Sequence, residues 1–284
     1  MDGNDLLQQK MSPESYTKFC ALDNPKLFRF VADAVALAEP ESVIVCDDSD
    51  ADAAYVRRRA VEQGEERLLT APGHTLHYDG YGDQARDKAN TRFLVPPGMQ
   101  LGPHLNSIDR DQGLAEVRGF LRGAMKGKEA IVKLFCEGPV GSDFAIGCAQ
   151  ITDSFYVVHS EDILYRRGYR QFQQLADKDE FFRFFHSAGE LDERGNSRNL
   201  AQRRIYQDLQ DYMVYSVNDQ YAGNSVGLKK HAMRLAIHKS SQEGWLCEHM
   251  FIMNVPHPEG RRNTYLCGAF PSACGKTSTA MIPG

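Results

Sequence analysis

Apolar residues near the N-terminus recur at helical spacing: Leu27, Phe30, Val31, Ala34, Val35 and Ala38 share one face. Asn24 and Pro25 precede the run and Pro40 follows it. An Asn cap with Pro at the first helical position is a strong start, and a Pro past the end is a stop. The first 40 residues therefore read as mostly helical. The period then shortens. Ser42 to Cys46 is an apolar strand-like run that enters the acidic turn Asp47-Asp48-Ser49-Asp50, and Ala51 to Glu62 returns to helix. Helix, strand and helix in alternation predict an α/β sheet (mixed α+β) rather than an all-β sandwich.

Pro72 to Pro103 is polar and Gly-rich, and predicts surface loop with short strands. Asp109 caps a helix bearing Leu114, Val117 and Leu121. Ala130 to Phe135 and Phe155 to Val158 read as strands. Asp177 with Glu180 forms a capping box for an aromatic helix, Phe181 to His186, closed by Gly189. Asp192 to Arg198 is a polar loop. Strands follow at Tyr212 to Val217, His249 to Val255 and Tyr265 to Phe270. Internal repeats and low-complexity tracts are absent.

Composition narrows the class. With 33 Lys plus Arg against 38 Asp plus Glu, the net charge is −5, which argues against nucleic-acid binding through bulk positive charge. Hydrophobic content of 42% is that of a folded chain. No apolar run approaches the roughly 20 residues of a membrane span. The polar start, Met1 to Lys10, resembles neither a secretory signal nor a transit peptide. The seven cysteines, Cys20, Cys46, Cys136, Cys148, Cys247, Cys267 and Cys274, form no CxxC pair and are expected as reduced thiols in a cytoplasmic protein.

The strongest chemistry lies at the end. The strand Tyr265 to Phe270 runs into Pro271-Ser272-Ala273-Cys274-Gly275-Lys276-Thr277 and a helix-like Ser278 to Met281. A strand, a small-residue turn and Gly-Lys-Thr at a helix start can cradle polyphosphate. Backbone N–H groups face the anion, the Lys reaches the outer phosphates and the Thr hydroxyl meets a metal. The first Gly of the usual phosphate loop is missing, because position 270 is Phe. A turn that merely contains Gly-Lys-Thr is the alternative. Upstream, Tyr221-Ala222-Gly223-Asn224-Ser225-Val226-Gly227-Leu228-Lys229-Lys230 places an aromatic, small residues and two cations together. Taken alone it reads as a hairpin turn with solvated lysines. His249, in the segment holding Trp245, reads alone as a satisfied core side chain.

Together these strings change the picture. YAGNSVGLKKHAMRLA, EGWLCEHMFI and FPSACGKTSTAM, with DQARDKANT and ITDSFYVVHSEDILYRRGY upstream, resemble the GTP-dependent phosphoenolpyruvate carboxykinase family in order and spacing. The resemblance covers the chain from about Cys46 onward. It implies a substrate-binding lobe at residues 1–241 and the start of a P-loop nucleotide- and metal-binding lobe at 242–284. By position, Arg86 looks like the arginine that holds the oxaloacetate carboxylate, and Tyr221 the residue lying against substrate and departing CO₂. Ala222 and Gly223 would offer backbone N–H groups. Lys230 and His249 look like two of three protein ligands of a catalytic Mn²⁺. Ser272 would bind at the reacting centre. Ala273, Cys274, Gly275, Lys276, Thr277 and Ser278 would surround the phosphates of GTP or GDP and their Mg²⁺ or Mn²⁺, with Cys274 and Lys276 close to the chemistry.

Ala222 stands where the family usually has Gly, and Ser278 where an Asn is common. Only seven residues follow Thr277. Family members continue far beyond that point, through a third metal ligand (an aspartate) and the guanine pocket. The chain is thus expected to be an N-terminal fragment, inactive alone, of a monomeric enzyme that makes phosphoenolpyruvate in gluconeogenesis. A truncated, non-catalytic anion-binding product is the alternative, and an unrelated P-loop kinase a weaker one. Arg57-Arg58-Arg59 is expected to be a solvated helix face. His74, His77 and His104 lack metal-ligand spacing. Arg166, Arg167 and Arg170 either line an anion pocket or pair with acids.

Overall fold

The computed structural model describes residues 3–78, 80, 87, 89–175, 180–220, 225–248, 250–270 and 274–280. In chain order these form α1 (Gly3–Lys10), α2 (Pro13–Cys20), α3 (Pro25–Ala38), β1 (Ser42–Val45) and α4 (Asp50–Glu62). Next come β2 (Arg67–Leu68), β3 (Thr75–Leu76), β4 (Thr91–Val95), β5 (Ser107–Asp109) and α5 (Arg110–Leu121). The middle of the chain supplies β6 (Glu129–Glu137), β7 (Ile146–Thr152), α6 (Phe155–Leu164), β8 (Arg166–Arg167), α7 (Tyr169–Gln174) and β9 (Phe181–Ser187). The last elements are β10 (Arg204–Asp208), β11 (Met213–Val217), α8 (Ser225–Glu243), β12 (Phe251–Pro256), β13 (Asn263–Gly268) and α9 (Lys276–Ala280). By its contacts the chain divides into two units, Met1–Ala232 and Met233–Gly284.

In the first unit, α3 forms for the reasons legible in its sequence. The Asn24 side chain accepts from Leu27 N at 2.9 Å, Pro25 opens the helix, and Glu39 ends it in the left-handed region at φ 55°. Its apolar stripe, Leu27, Phe30, Val31, Ala34, Val35 and Ala38, is buried. Each large apolar side chain so buried is worth about 1.5–3 kcal/mol.

That stripe covers one face of a mixed sheet ordered β1-β6-β7-β9-β11-β10-β4-β5, with β8 added to β6. The pairs β1/β6, β7/β9, β9/β11, β10/β4 and β4/β5 are parallel, while β6/β7 and β10/β11 are antiparallel. Side chains alternate across the sheet, so Ala130, Val132 and Leu134 of β6 join the core under α1, α2, α3 and α5. Ile131 points the other way and packs with Cys46, Val56, Ala60, Phe155 and Val158, beneath α4 and α6. Sheet faces covered on both sides explain the near-continuous apolar runs of the central strands.

Three sequence expectations are overturned. Phe155 to Val158 is the start of helix α6, not a strand, because Ser154 caps it and accepts from Val157 N at 3.2 Å. Glu65, distant in sequence, also accepts from Phe155 N at 2.9 Å. Two such acceptors at a helix start outweigh the strand preference of aromatic and β-branched residues. Phe181 to His186 is strand β9, not an aromatic helix; it lies between β7 and β11 and is buried on both faces. A short aromatic run broken only by Arg183 and His186 carries too little period to distinguish the two forms. Asp177 of the expected capping box lies outside the described residues. Finally, Ser225 onward is not a turn but helix α8, with Tyr221 to Asn224 outside the described residues.

In the second unit, β12 and β13 form an antiparallel hairpin in which Phe251 pairs with Gly268 and Pro256 with Asn263. The short helix α9 packs on β12. Among the described residues no helix is long and apolar enough to cross a membrane.

Candidate functional site

A strand and a helix flank the turn that the sequence singled out, each starting two residues earlier than expected, and residues 271–273 between them lie outside the described residues. Strand β13 ends at Gly268, the chain passes Phe270, and α9 starts at Lys276. A Cβ on Gly268 would lie 2.4 Å from the Phe251 ring, so glycine is what lets Phe251 and Phe270 meet edge-to-face at 5.9 Å. Gly275 adopts φ +85°, a conformation that side chains disfavour, and turns the backbone into the helix. Its carbonyl then accepts from both Thr279 N and Thr279 Oγ1 at 2.9 Å.

Lys276 is the informative side chain. It is only 5% exposed, and its ammonium donates to the Phe270 carbonyl and lies 5.9 Å from the Phe270 ring centroid. The cation is thereby folded back onto Phe270, six residues earlier in the chain. Cys274 and Ser278 are exposed beside it. Ser272 and Ala273 lie outside the described residues, as does the Thr277 side chain, although the Thr277 backbone is helical. A lysine and a positive-φ glycine thus stand at the strand-to-helix connection, and both are residue types that a phosphate cradle uses.

Of the residues expected to bind substrate, Arg86, Tyr221, Ala222 and Gly223 lie outside the described residues. So does His249; Lys230 is in the backbone of α8, with its side chain likewise outside. Their flanks are well tied. Next to Arg86, Asp87 accepts from Asn90 N at 3.1 Å and Asn90 Nδ2 at 2.8 Å, and buried Arg203 comes within 3.8 Å of it. Before Tyr221, the buried imidazole of His186 donates to the Asp219 carbonyl and meets Thr152 Oγ1 at 2.6 Å. Sequence reasoning missed His186 and Thr152, since neither has a motif and their meeting depends on strand order. Among the described residues no group of three or more His, Cys, Asp or Glu is arranged to hold a metal ion.

The open question over the arginines resolves for Arg167 toward acid pairing. Its Nη1 donates to the Asp48 carbonyl and to Asp50 Oδ1, each at 2.9 Å, while Asp48 accepts from Tyr169 N and Arg170 N. The Arg57–Arg59 face is only partly solvated. Arg59 bonds Glu129 at 3.2 Å and packs 5.3 Å from the Phe155 ring. His77 stacks on Tyr156 at 3.5 Å and bonds the Glu65 carbonyl. Glu65 itself is buried at the start of α6. Desolvation outweighs the Ser154, Phe155 and Tyr156 donors and pushes its carboxyl up to about 7, with Asp153 adding to the rise. None of the seven cysteines is in a disulfide.

A mixed α/β sheet unit is thus followed in the chain by a hairpin and a strand-to-helix connection that carries Gly275 and Lys276. The family model for the phosphoenolpyruvate carboxykinase N-terminal domain matches residues 29–241, and that for the phosphoenolpyruvate carboxykinase C-terminal P-loop domain matches residues 245–284. The chain belongs to the phosphoenolpyruvate carboxykinase family. It is 55% identical over 283 residues to the phosphoenolpyruvate carboxykinase [GTP] of Thermococcus kodakarensis, covering 100% of this chain and 45% of that protein. The proteins of the same name from Pyrococcus horikoshii and Saccharolobus solfataricus are 53% and 42% identical, each over 98% of this chain and over 45% and 44% of their own lengths. The chain thus spans less than half the length of these curated relatives.

Proposed function

We propose that the chain is part of a GTP-dependent phosphoenolpyruvate carboxykinase that converts oxaloacetate and GTP to phosphoenolpyruvate, GDP and CO₂. Whole-chain identity of 55% to a protein of that name carries the proposal. The placement of Gly275 and Lys276 at the strand-to-helix connection is consistent with it. In this reading, residues 1–241 form the substrate-binding lobe and 242–284 open the nucleotide lobe of a cytoplasmic, monomeric enzyme.

Arg86 holds the oxaloacetate carboxylate as a charged, bidentate donor. Tyr221 packs against the substrate, and the N–H groups of Ala222 and Gly223 bind carboxylate oxygens. The bond to the departing carboxylate breaks, CO₂ leaves, and its electron pair remains as an enolate. The enolate oxygen attacks the γ-phosphorus of GTP, and the bond to GDP breaks. Lys276 shifts from the Phe270 carbonyl to the phosphates and stabilises their charge, with Thr277, Ser278 and the backbone of Ala273 to Gly275 positioning them. Ser272 sits at the reacting centre.

Lys230 and His249 are the residues that would hold a divalent metal; a mixed set of these nitrogens with oxygen ligands suits Mn²⁺, whereas the amine and imidazole alone would suit zinc as well. When bound, the metal supplies a Lewis acid that favours enolate formation. A lysine ligates only when neutral. Lowering its pKa from about 10.4 to about 7 costs roughly 4–5 kcal/mol, which the field of a cation supplies.

The test compares this 284-residue chain with the full-length gene product in GTP- and Mn²⁺-dependent turnover of oxaloacetate. Turnover is expected from the longer protein and negligible turnover from this chain. Lys276→Ala should abolish turnover, losing at least ~100-fold in kcat. Oxalate binding without turnover in either protein would instead favour a non-catalytic anion-binding product.

A further inference from the structure

The backbone that leads into Tyr221 is anchored on the central strands of the sheet. Asn218 leaves β11 at φ +55°, its N–H donates to Ser187 O at 3.0 Å, and its side chain donates to Gln202 O at 3.3 Å. One residue on, the Asp219 carbonyl accepts from His186 Nε2. A carbonyl can only accept, so Nε2 carries the ring proton. Burial lowers the pKa of the imidazole and favours its neutral form, with Asp153 and the bond to the Asp219 carbonyl opposing and Lys128 assisting. Nδ1 is therefore a lone pair, and the Thr152 hydroxyl at 2.6 Å must donate to it. Thr152 Oγ1 in turn accepts from Ser154 N at 3.1 Å. Each proton in this relay is thus set by the one carbonyl at its end.

A hydroxyl donating to an imidazole also occurs in nucleophilic catalysis, but not with this geometry. Thr152 is fully buried, His186 is 2% exposed, and the nitrogen away from the hydroxyl bonds a backbone carbonyl rather than an orienting acid. The ring stands on β9 and the hydroxyl on β7, adjacent parallel strands at the centre of the sheet. Strands make a more rigid support than loops, and a buried neutral donor aimed at a loop carbonyl fixes that loop's path.

We propose that Thr152 and His186 are positioning residues for substrate: by fixing the Asp219 carbonyl they set where Tyr221, Ala222 and Gly223 meet oxaloacetate. The proposal rests on the reading above that these three residues contact substrate.

The experiment uses the full-length gene product and the variants His186→Phe, His186→Gln and Thr152→Val. Steady-state kinetics are paired with hydrogen exchange of the backbone amides at 219–224. His186→Phe should raise the KM for oxaloacetate about 10-fold or more with the KM for GTP unchanged. Exchange should quicken at 219–224 while β9 and β11 stay protected. His186→Gln places an amide N–H near the position of Nε2, and should restore the KM to within about 3-fold of the parent. Thr152→Val removes the donor to Nδ1 and should fall between the two; it also serves if His186→Phe does not fold. Unchanged oxaloacetate KM and exchange in His186→Phe, or equal losses for both substrates with no rescue by Gln, would overturn the proposal. Absence of turnover in the parent protein would instead refute the carboxykinase reading, and the exchange data would still decide whether His186 orders this segment.

Discussion

Lys133 offers a sharp test of what holds the sheet unit together. It sits in the middle of β6, fully buried, with its ammonium 3.0 Å from Asp162 Oδ1 on α6. Asp162 has a side chain only 7% exposed, and Arg167 Nε approaches the same oxygen at 3.9 Å. Lys133→Met keeps the stem and removes the charge. Breaking a buried pair from one side typically costs about 3–5 kcal/mol, because the remaining charge stays desolvated. Arg167 remains as a partner and offsets part of this, so a loss of about 3 kcal/mol is expected. In urea, with a slope of roughly 2–3 kcal/mol/M, the midpoint should fall by about 1–1.5 M with no change in slope. The double variant Lys133→Met with Asp162→Leu replaces both ions by apolar groups. It should recover to within about 1 kcal/mol of the parent, since such replacements are often neutral or stabilising. An unchanged midpoint in the single variant would refute the reasoning, as would a double variant no more stable than the single one.

Two other predictions follow from named groups. Cys274 is exposed two residues before Lys276, so on the carboxykinase reading a thiol alkylator should inactivate the full-length gene product, GTP should protect, and Cys274→Ser should resist; equal inactivation of the Ser variant would remove the idea. Glu65, with its carboxyl raised from 4.5 to about 7 by burial, binds a proton more tightly folded than unfolded. Its contribution to stability is full below about pH 4.5 and is lost as pH rises through about 7, by roughly 3 kcal/mol at 1.36 kcal/mol per unit. Urea midpoints against pH should show this slope in the parent and not in Glu65→Gln.

Elements with their own local signals were legible. Helix α3 carries its cap, its N-terminal proline, its apolar stripe and its stop within one stretch, and the structure places the helix there. The run Ser42 to Cys46 covers strand β1, Ser42–Val45, for similar reasons. By contrast, β7 and β10 had no expectation at all, and β4 only the general one of short strands within Pro72 to Pro103, since the polar or unpunctuated segments around them mask their runs. Helix α6 and strand β9 were assigned the wrong way round because their sequences alone do not decide. The acceptor that helps start α6 is Glu65, far away in sequence, and the neighbours that make Phe181–Ser187 a strand are β7 and β11.

Site chemistry divides in the same way. Gly275, Lys276 and the strand before them announce a phosphate turn in sequence, because that chemistry needs contiguous residues at fixed spacing. His186 and Thr152 announce nothing. They are 34 residues apart, and only the parallel pairing of β7 with β9 brings an imidazole and a hydroxyl onto one face to grip a third segment. Sequence by itself determined the family, the mixed α/β class, the capped α3 helix and the contiguous phosphate motif, since each is encoded by neighbours along the chain. Only the tertiary structure decided which apolar runs are helix or strand, which buried ions pair, and which side chain binds the Asp219 carbonyl. Those outcomes depend on contacts between residues tens of positions apart, and local sequence carries no record of such contacts.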